Sequence, residues 1–224
     1  MPVKLDSIVP WGRSFDEYVR MFALSGRDLE GSILDCAAGP SSFNAEMHRR
    51  GRRVVSVDPI YEFSADQIRG RVEAVRDTMI DQVRGQPQQF TWEIIRSPEH
   101  LEEMRMGAMK LFLEDFATDS ARGRYRAQSL PELDLPESSF DLALCSHFLF
   151  LYSDWLDERF HIDALRALLR VAREVRVFPI TELSGKRSPH LAGVLHAFNA
   201  EIVQVPYEFL RGANHMLVAR ASGK

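Results

Sequence analysis

Short apolar runs alternate along this chain with longer stretches in which apolar residues fall three or four positions apart. The first rhythm is that of buried strands, the second that of helices packed by one face. Ser14 to Leu24 carries Phe15, Tyr18, Val19 and Phe22 at helical spacing, with Ser14 as N-cap. Leu29 to Cys36 reads as a first strand. Ser41 and Ser42 then open a helix over Phe43 to Arg50, closed by Gly51. Arg53 to Asp58, rich in valine and ended by Pro59, reads as a second strand.

From about Ser64 to Gly123 the strand rhythm disappears. Ile68, Val72, Val75, Met79 and Val83 mark one helical stripe, and Leu101, Met104, Ala108, Leu111, Phe112 and Phe116 another. Two or three helices inserted between strands and capping one end of a sheet account for this stretch. Alternation then resumes: strands over Arg124 to Gln128 and Phe140 to Ser146, a helix over Leu156 to Ala172, a strand over Glu174 to Ile180, and a helix holding Gly193 to Asn199. Glu201 to Tyr207 and Asn214 to Ala219 close the chain as a hairpin around Phe209 to Gly212. The pattern predicts an α/β fold with a Rossmann-like, seven-stranded, mainly parallel sheet, an antiparallel C-terminal hairpin and a helical insertion at about 64–123. The 224 residues fit one domain spanning 1–224.

Composition narrows the function classes. Apolar residues at 45% and charged residues at 27% are ordinary for a globular protein with a core. A net charge of −4, with arginines scattered among acids, gives no reason to expect nucleic acid. Cys36 and Cys145 lie within apolar runs and lack metal-ligand spacing, which points to buried thiols and no metal site. The N-terminus lacks a charged-then-apolar signal pattern and no run approaches a membrane span. The expectation is a soluble cytoplasmic protein without a membrane partner. No feature points to an oligomeric state.

The candidate chemistry sits after the first strand. In open α/β sheets ligands bind beyond the carboxyl ends of the strands, where strand order reverses. Cys36 to Ser42 occupies that position, and Asp58 follows Asp35 by 23 residues, a spacing suited to holding a ribose. A dinucleotide site wants several glycines so that a pyrophosphate can reach the backbone. This loop has Gly39 alone, and Pro40 removes a donor. The shortage favours a nucleoside cofactor without phosphate.

Ile33-Leu34-Asp35-Cys36-Ala37-Ala38-Gly39-Pro40, Val57-Asp58, Ala127-Gln128-Ser129-Leu130-Pro131 and Leu135 to His147 together resemble the motifs of class I S-adenosylmethionine-dependent methyltransferases. The resemblance implies a methyltransferase that binds S-adenosylmethionine and methylates a small-molecule substrate. It places Asp35, Ala37 and Gly39 at the cofactor loop, Asp58 on the ribose hydroxyls, and Gln128 and Ser129 at the adenine rim. Ser146 and His147 would flank the methionine part or the substrate. Ala37 stands where the usual pattern has its first glycine, and Gln128 where an acid is commoner.

His147 follows the fourth strand and is the candidate general base, with a loop histidine held by hydrogen bonds as the alternative. Tyr152, Asp154, Glu182, the Ser188-Pro189-His190 turn and the Pro206 to Gly212 connection are further candidates for the rim. The Asn/Asp-Pro-Pro-Tyr/Phe loop of enzymes that methylate exocyclic amines of bases is absent, as is a Pro-Cys nucleophile motif. Two other functions remain open on these residues: a nicotinamide-dependent oxidoreductase, and a non-catalytic protein that kept the fold as a binding scaffold.

Overall fold

A computed structural model describes residues 11–118 and 121–221. Residues 1–10, which carry the expected absence of a signal pattern, positions 119–120 of the insertion and residues 222–224 lie outside the described residues.

Helix starts are written locally. Ser14 caps α1 (Phe15–Met21) in a capping box with Glu17, and Ser25 caps α2 (Gly26–Glu30) in another with Asp28. That second box corrects the expected strand from Leu29. Leu29 and Glu30 finish a short helix, Gly31 follows, and β1 is only Ile33–Cys36. The chain continues through α3 (Phe43–Arg49), which stops before Gly51 at a φ of 69°, and β2 (Val54–Val57). The insertion holds two long helices, α4 (Ala65–Gly85) and α5 (Pro98–Phe116). Next come β3 (Tyr125–Arg126), β4 (Phe140–Ser146), α6 (Glu158–Val171), β5 (Ala172–Phe178), α7 (Leu191–Ala197), β6 (Ala200–Gln204) and β7 (His215–Arg220).

The seven strands form one sheet in the order β3-β2-β1-β4-β5-β7-β6. β1 to β5 run parallel, and β7 is antiparallel to both β5 and β6. Strand order reverses between β1 and β4, whose carboxyl ends carry the register partners Cys36 and Cys145, both buried free thiols. Side chains of successive residues leave a strand on opposite faces. Leu34, Cys36, Ala143 and Cys145 therefore pack on α6 and α7, through Leu165, Leu168 and Val194. Ile33, Leu142 and Leu144 meet the aromatic face of α1 and α3, where Tyr18 stacks on Phe43 at 4.6 Å between ring centres.

The insertion has its own core. Ile68 and Val72 of α4 pack with Met109, Phe112 and Leu113 of α5, and Ile80 and Val83 pack with Ile95 and Leu101. It is fastened to the sheet by polar ties. Asp115 of α5 accepts hydrogen bonds from Arg124 at 2.8 Å and Tyr125 at 2.7 Å, and Arg124 also donates to Asn44 of α3 at 2.6 Å. Among the described residues, no helix is long and apolar enough to cross a membrane.

Candidate functional site

A cavity of about 1120 Å³ opens beyond the carboxyl ends of β1, β2, β3 and β4, at the point where strand order reverses. It is larger than the roughly 300–1,000 Å³ usual for small-molecule sites. Its floor is the loop Ala37 to Pro40. One side holds Asp58 and Ile60, another Gln128 to Glu132, and a third Ser146, His147 and Phe148. The inner stripe of α4, with Val75 and Met79, forms a further wall. Leu183, just past β5, also lines the space with 53% of its surface exposed.

Six of the seven expected cofactor residues come together here: Ala37, Gly39, Asp58, Gln128, Ser129 and Ser146. Asp35 does not line the cavity. It lies inside β1, fully buried, accepting hydrogen bonds from Tyr18 at 3.0 Å and Ser56 at 3.4 Å. Burial pushes its carboxyl up to about 8 against those two hydrogen bonds. Strand alternation explains the placement: Asp35 projects toward α1, so only Tyr18, which does line the cavity, connects it to the site.

The loop and Asp58 are one device. Gly39 N–H donates to Oδ2 of Asp58 at 2.9 Å, and Ile60 N–H donates to Oδ1 at 2.9 Å. Each carboxylate oxygen keeps acceptor capacity for a further donor. Burial raises the Asp58 carboxyl, and the two backbone donors oppose that rise. On its other side Gly39 offers its carbonyl to the Tyr61 hydroxyl at 2.8 Å. Gly39 has a φ of 53°, and so does Ala37, a conformation that glycine takes freely and alanine does not. Ala38 N–H is given to the Val57 carbonyl and Ser42 N–H to the Arg13 carbonyl. With Pro40 lacking a donor, the loop has few amides left to cradle a phosphate.

His147 also sits in the left-handed region, at a φ of 51°, its N–H bonded to the Phe178 carbonyl at 2.6 Å. Nδ1 lies 2.9 Å from Ser146 Oγ, and the ring meets Phe178 edge-on. Burial, with Arg13 and Arg105 adding repulsion, holds the imidazole well below the usual histidine range. At pH 7 it is neutral. Gln128 spends its amide on a local turn, bonding both the carbonyl and the N–H of Asp134.

Behind the cavity lies a buried ionic cluster that no local sequence pattern announces. Glu17 accepts from Arg105, from Tyr207 at 2.8 Å and from Ser14. Arg13 lines the cavity beside this cluster. Of the other candidates, Tyr152 lines the cavity, whereas Asp154, Glu182 and His190 do not. Ser188 and His190 brace the segment after β4 through Ser153. Tyr207 carries the Pro206 to Gly212 connection into the buried cluster rather than to the rim. Among the described residues no group of three or more His, Cys, Asp or Glu is placed to hold a metal ion.

No protein-family model matches the chain. A Methanocaldococcus jannaschii protein, called uncharacterized protein MJ0045, is 35% identical over 219 residues, covering 97% of this chain and 98% of that one. The chain belongs to the MJ0045 family. Among solved structures, the magnesium protoporphyrin IX methyltransferase of Synechocystis with bound S-adenosylhomocysteine is 14% identical, with a TM-score of 0.49, over 93% of this chain and 81% of that one. A SAM-dependent methyltransferase from Methanosarcina mazei is 13% identical, with a TM-score of 0.45, over 88% of this chain and 94% of that one. These are distant likenesses. For this member of the MJ0045 family, the Rossmann-like sheet type rests on the strand order and the antiparallel seventh strand.

Proposed function

We propose that the chain is an S-adenosylmethionine-dependent methyltransferase acting on a small-molecule acceptor. The observation that carries this reading is the bond from Gly39 N–H to Asp58. It ties Asp58, the candidate ribose carboxylate, to a loop with few free amides, which favours a nucleoside without phosphate over a pyrophosphate. That weighs against the nicotinamide reading. Asp58 would hold the ribose hydroxyls, Ile60, Gln128, Ser129 and Phe148 the base, and the Ala37 to Gly39 loop with Ser146 the methionine part. The size of the cavity leaves room for an acceptor against Val75, Met79 and Leu183.

When bound, S-adenosylmethionine supplies a methyl group on a sulfonium, an already activated leaving group. What remains for the chain is placement, together with removal of the acceptor's proton. His147 suits that second task. In the tautomer that donates Nδ1–H to Ser146, Nε2 keeps its lone pair free to receive a proton from a hydroxyl or amine. Burial and the nearby guanidinium groups lower the basicity of that nitrogen, so positioning carries most of the reaction.

Calorimetry with purified protein tests the reading. S-adenosylmethionine and S-adenosylhomocysteine should bind, and NADH fluorescence should not rise. Binding of NADH with neither sulfur nucleoside bound would sink it.

A further inference from the structure

Two guanidinium groups and one carboxylate converge on one wall of the cavity. Arg13, partly buried, and Arg105, buried, bring the two guanidinium groups, and Glu17 is the carboxylate that Arg105 pairs with. Both Glu17 oxygens are already taken, one by Tyr207 and the other by Arg105 and Ser14. Asp35 gives no relief, because its carboxyl stays mostly protonated at pH 7 and is turned to Tyr18 and Ser56. A buried N–H donor left without an acceptor is costly.

Arg13 is the guanidinium left over. Nη1 is given to the Trp11 carbonyl. Nε is buried and meets no acceptor, and among the described residues Nη2 has none either. Nε and Nη2 together form the edge of the fork that takes a carboxylate side-on through two parallel hydrogen bonds. The backbone holds this fork in place: the Arg13 carbonyl accepts from Ser42 N–H at 3.0 Å, and a side chain on Gly12 would collide with the Pro40 carbonyl. Burial, then repulsion from Arg105, lowers the Arg13 guanidinium to about 10, the sign of a cation short of its counter-ion.

We propose that Arg13 is a carboxylate-binding residue of this cavity, its Nε–Nη2 edge receiving a ligand's carboxylate while Arg105, neutralised by Glu17, stands behind it. This rests on the methyltransferase reading only for where that carboxylate comes from. It belongs either to the amino-acid part of the cofactor, beside the Ala37 to Gly39 loop, or to an acidic acceptor.

The test compares wild type with Arg13→Gln and Arg13→Lys by calorimetry. The probes are S-adenosylhomocysteine, its decarboxylated analogue, and benzoate added to protein saturated with S-adenosylhomocysteine. If the cofactor supplies the carboxylate, Arg13→Gln loses roughly 10- to 100-fold in affinity for S-adenosylhomocysteine and nothing for the decarboxylated analogue. If the acceptor supplies it, S-adenosylhomocysteine binds both proteins alike, and benzoate binds wild type but not Arg13→Gln. Arg13→Lys, with charge but no fork, should fall between. The unliganded Tm of Arg13→Gln should not drop, because the substitution removes a buried donor that has no acceptor. All probes binding wild type and both variants equally would overturn the proposal, and so would a lowered Tm with unchanged affinities. A wild type that binds neither sulfur nucleoside defeats the methyltransferase reading instead. Benzoate titrated against unliganded wild type and Arg13→Gln then decides the role of Arg13 alone.

Discussion

The carboxylate of Glu17 on α1 and the guanidinium of Arg105 on α5 meet as a buried ion pair, 1% and 2% exposed. Tyr207, between β6 and β7, bonds the same carboxylate at 2.8 Å. Three distant parts of the chain are thus pinned at one point behind the cavity. Glu17 is held down to about 2 by the neighbouring guanidinium groups and hydrogen bonds, which overcome its burial.

Breaking that pair should be expensive. Arg105→Met strands the Glu17 carboxylate and should cost about 3–5 kcal/mol in urea denaturation. Combining it with Glu17→Gln should return much of the loss, since the stranded charge is gone. Additive losses in the double variant would show that the two groups are not coupled.

Asp58 has two duties, latching the loop and facing the cavity. Asp58→Ala removes both and cannot separate them. Asp58→Asn keeps one oxygen for a backbone N–H and should weaken S-adenosylhomocysteine binding by roughly 10- to 100-fold. Calorimetry checks this. Unchanged affinity would exclude Asp58 from the ligand's contacts.

Ala37 lies at a φ of 53°. Relief of left-handed strain is worth about 1–2 kcal/mol, and the added freedom of the unfolded chain takes back about 0.4–1 kcal/mol. Ala37→Gly should therefore stabilise the protein slightly, raising Tm by a few degrees at most. A fall in Tm would mean that the alanine methyl group packs favourably in the loop.

Asp35 sets a pH dependence. Its carboxyl titrates near 8 when folded and near 3.8 when unfolded. Between those values the folded state binds more protons than the unfolded one, so stability falls as pH rises from about 4 to 8. Asp35→Asn removes this contribution. It should gain on wild type in Tm between pH 5 and pH 8, as thermal melts at the two pH values would record. Parallel behaviour of the two proteins would show that Asp35 ionises alike in both states.

Much of this molecule is legible in its apolar runs. Ile33-Leu34, Ser56-Val57 and Leu142 to Cys145 are buried on both faces, so nothing else competes with strand for them. Leu29-Glu30 misleads because a cap four residues earlier outweighs two residues of strand-like sequence. The site residues that were legible, from Ala37 to His147, are those that follow strand ends, where topology alone delivers them. Asp35 shares their motif but points across the sheet. Arg13, Tyr18 and Arg105 gave no signal: each is an unremarkable polar or aromatic position until α1, α5 and the β6–β7 connection converge.

Tyr61 ties its hydroxyl to the Gly39 carbonyl while its ring packs against Phe112, Phe116 and Tyr125. The inserted hairpin and the loop at the first strand therefore cannot loosen independently. A lineage that trims or redesigns α4 and α5 to admit a different acceptor disturbs the loop it was not selecting on. Amide exchange at Gly39 would expose that entanglement, slowing or quickening in step with the hairpin.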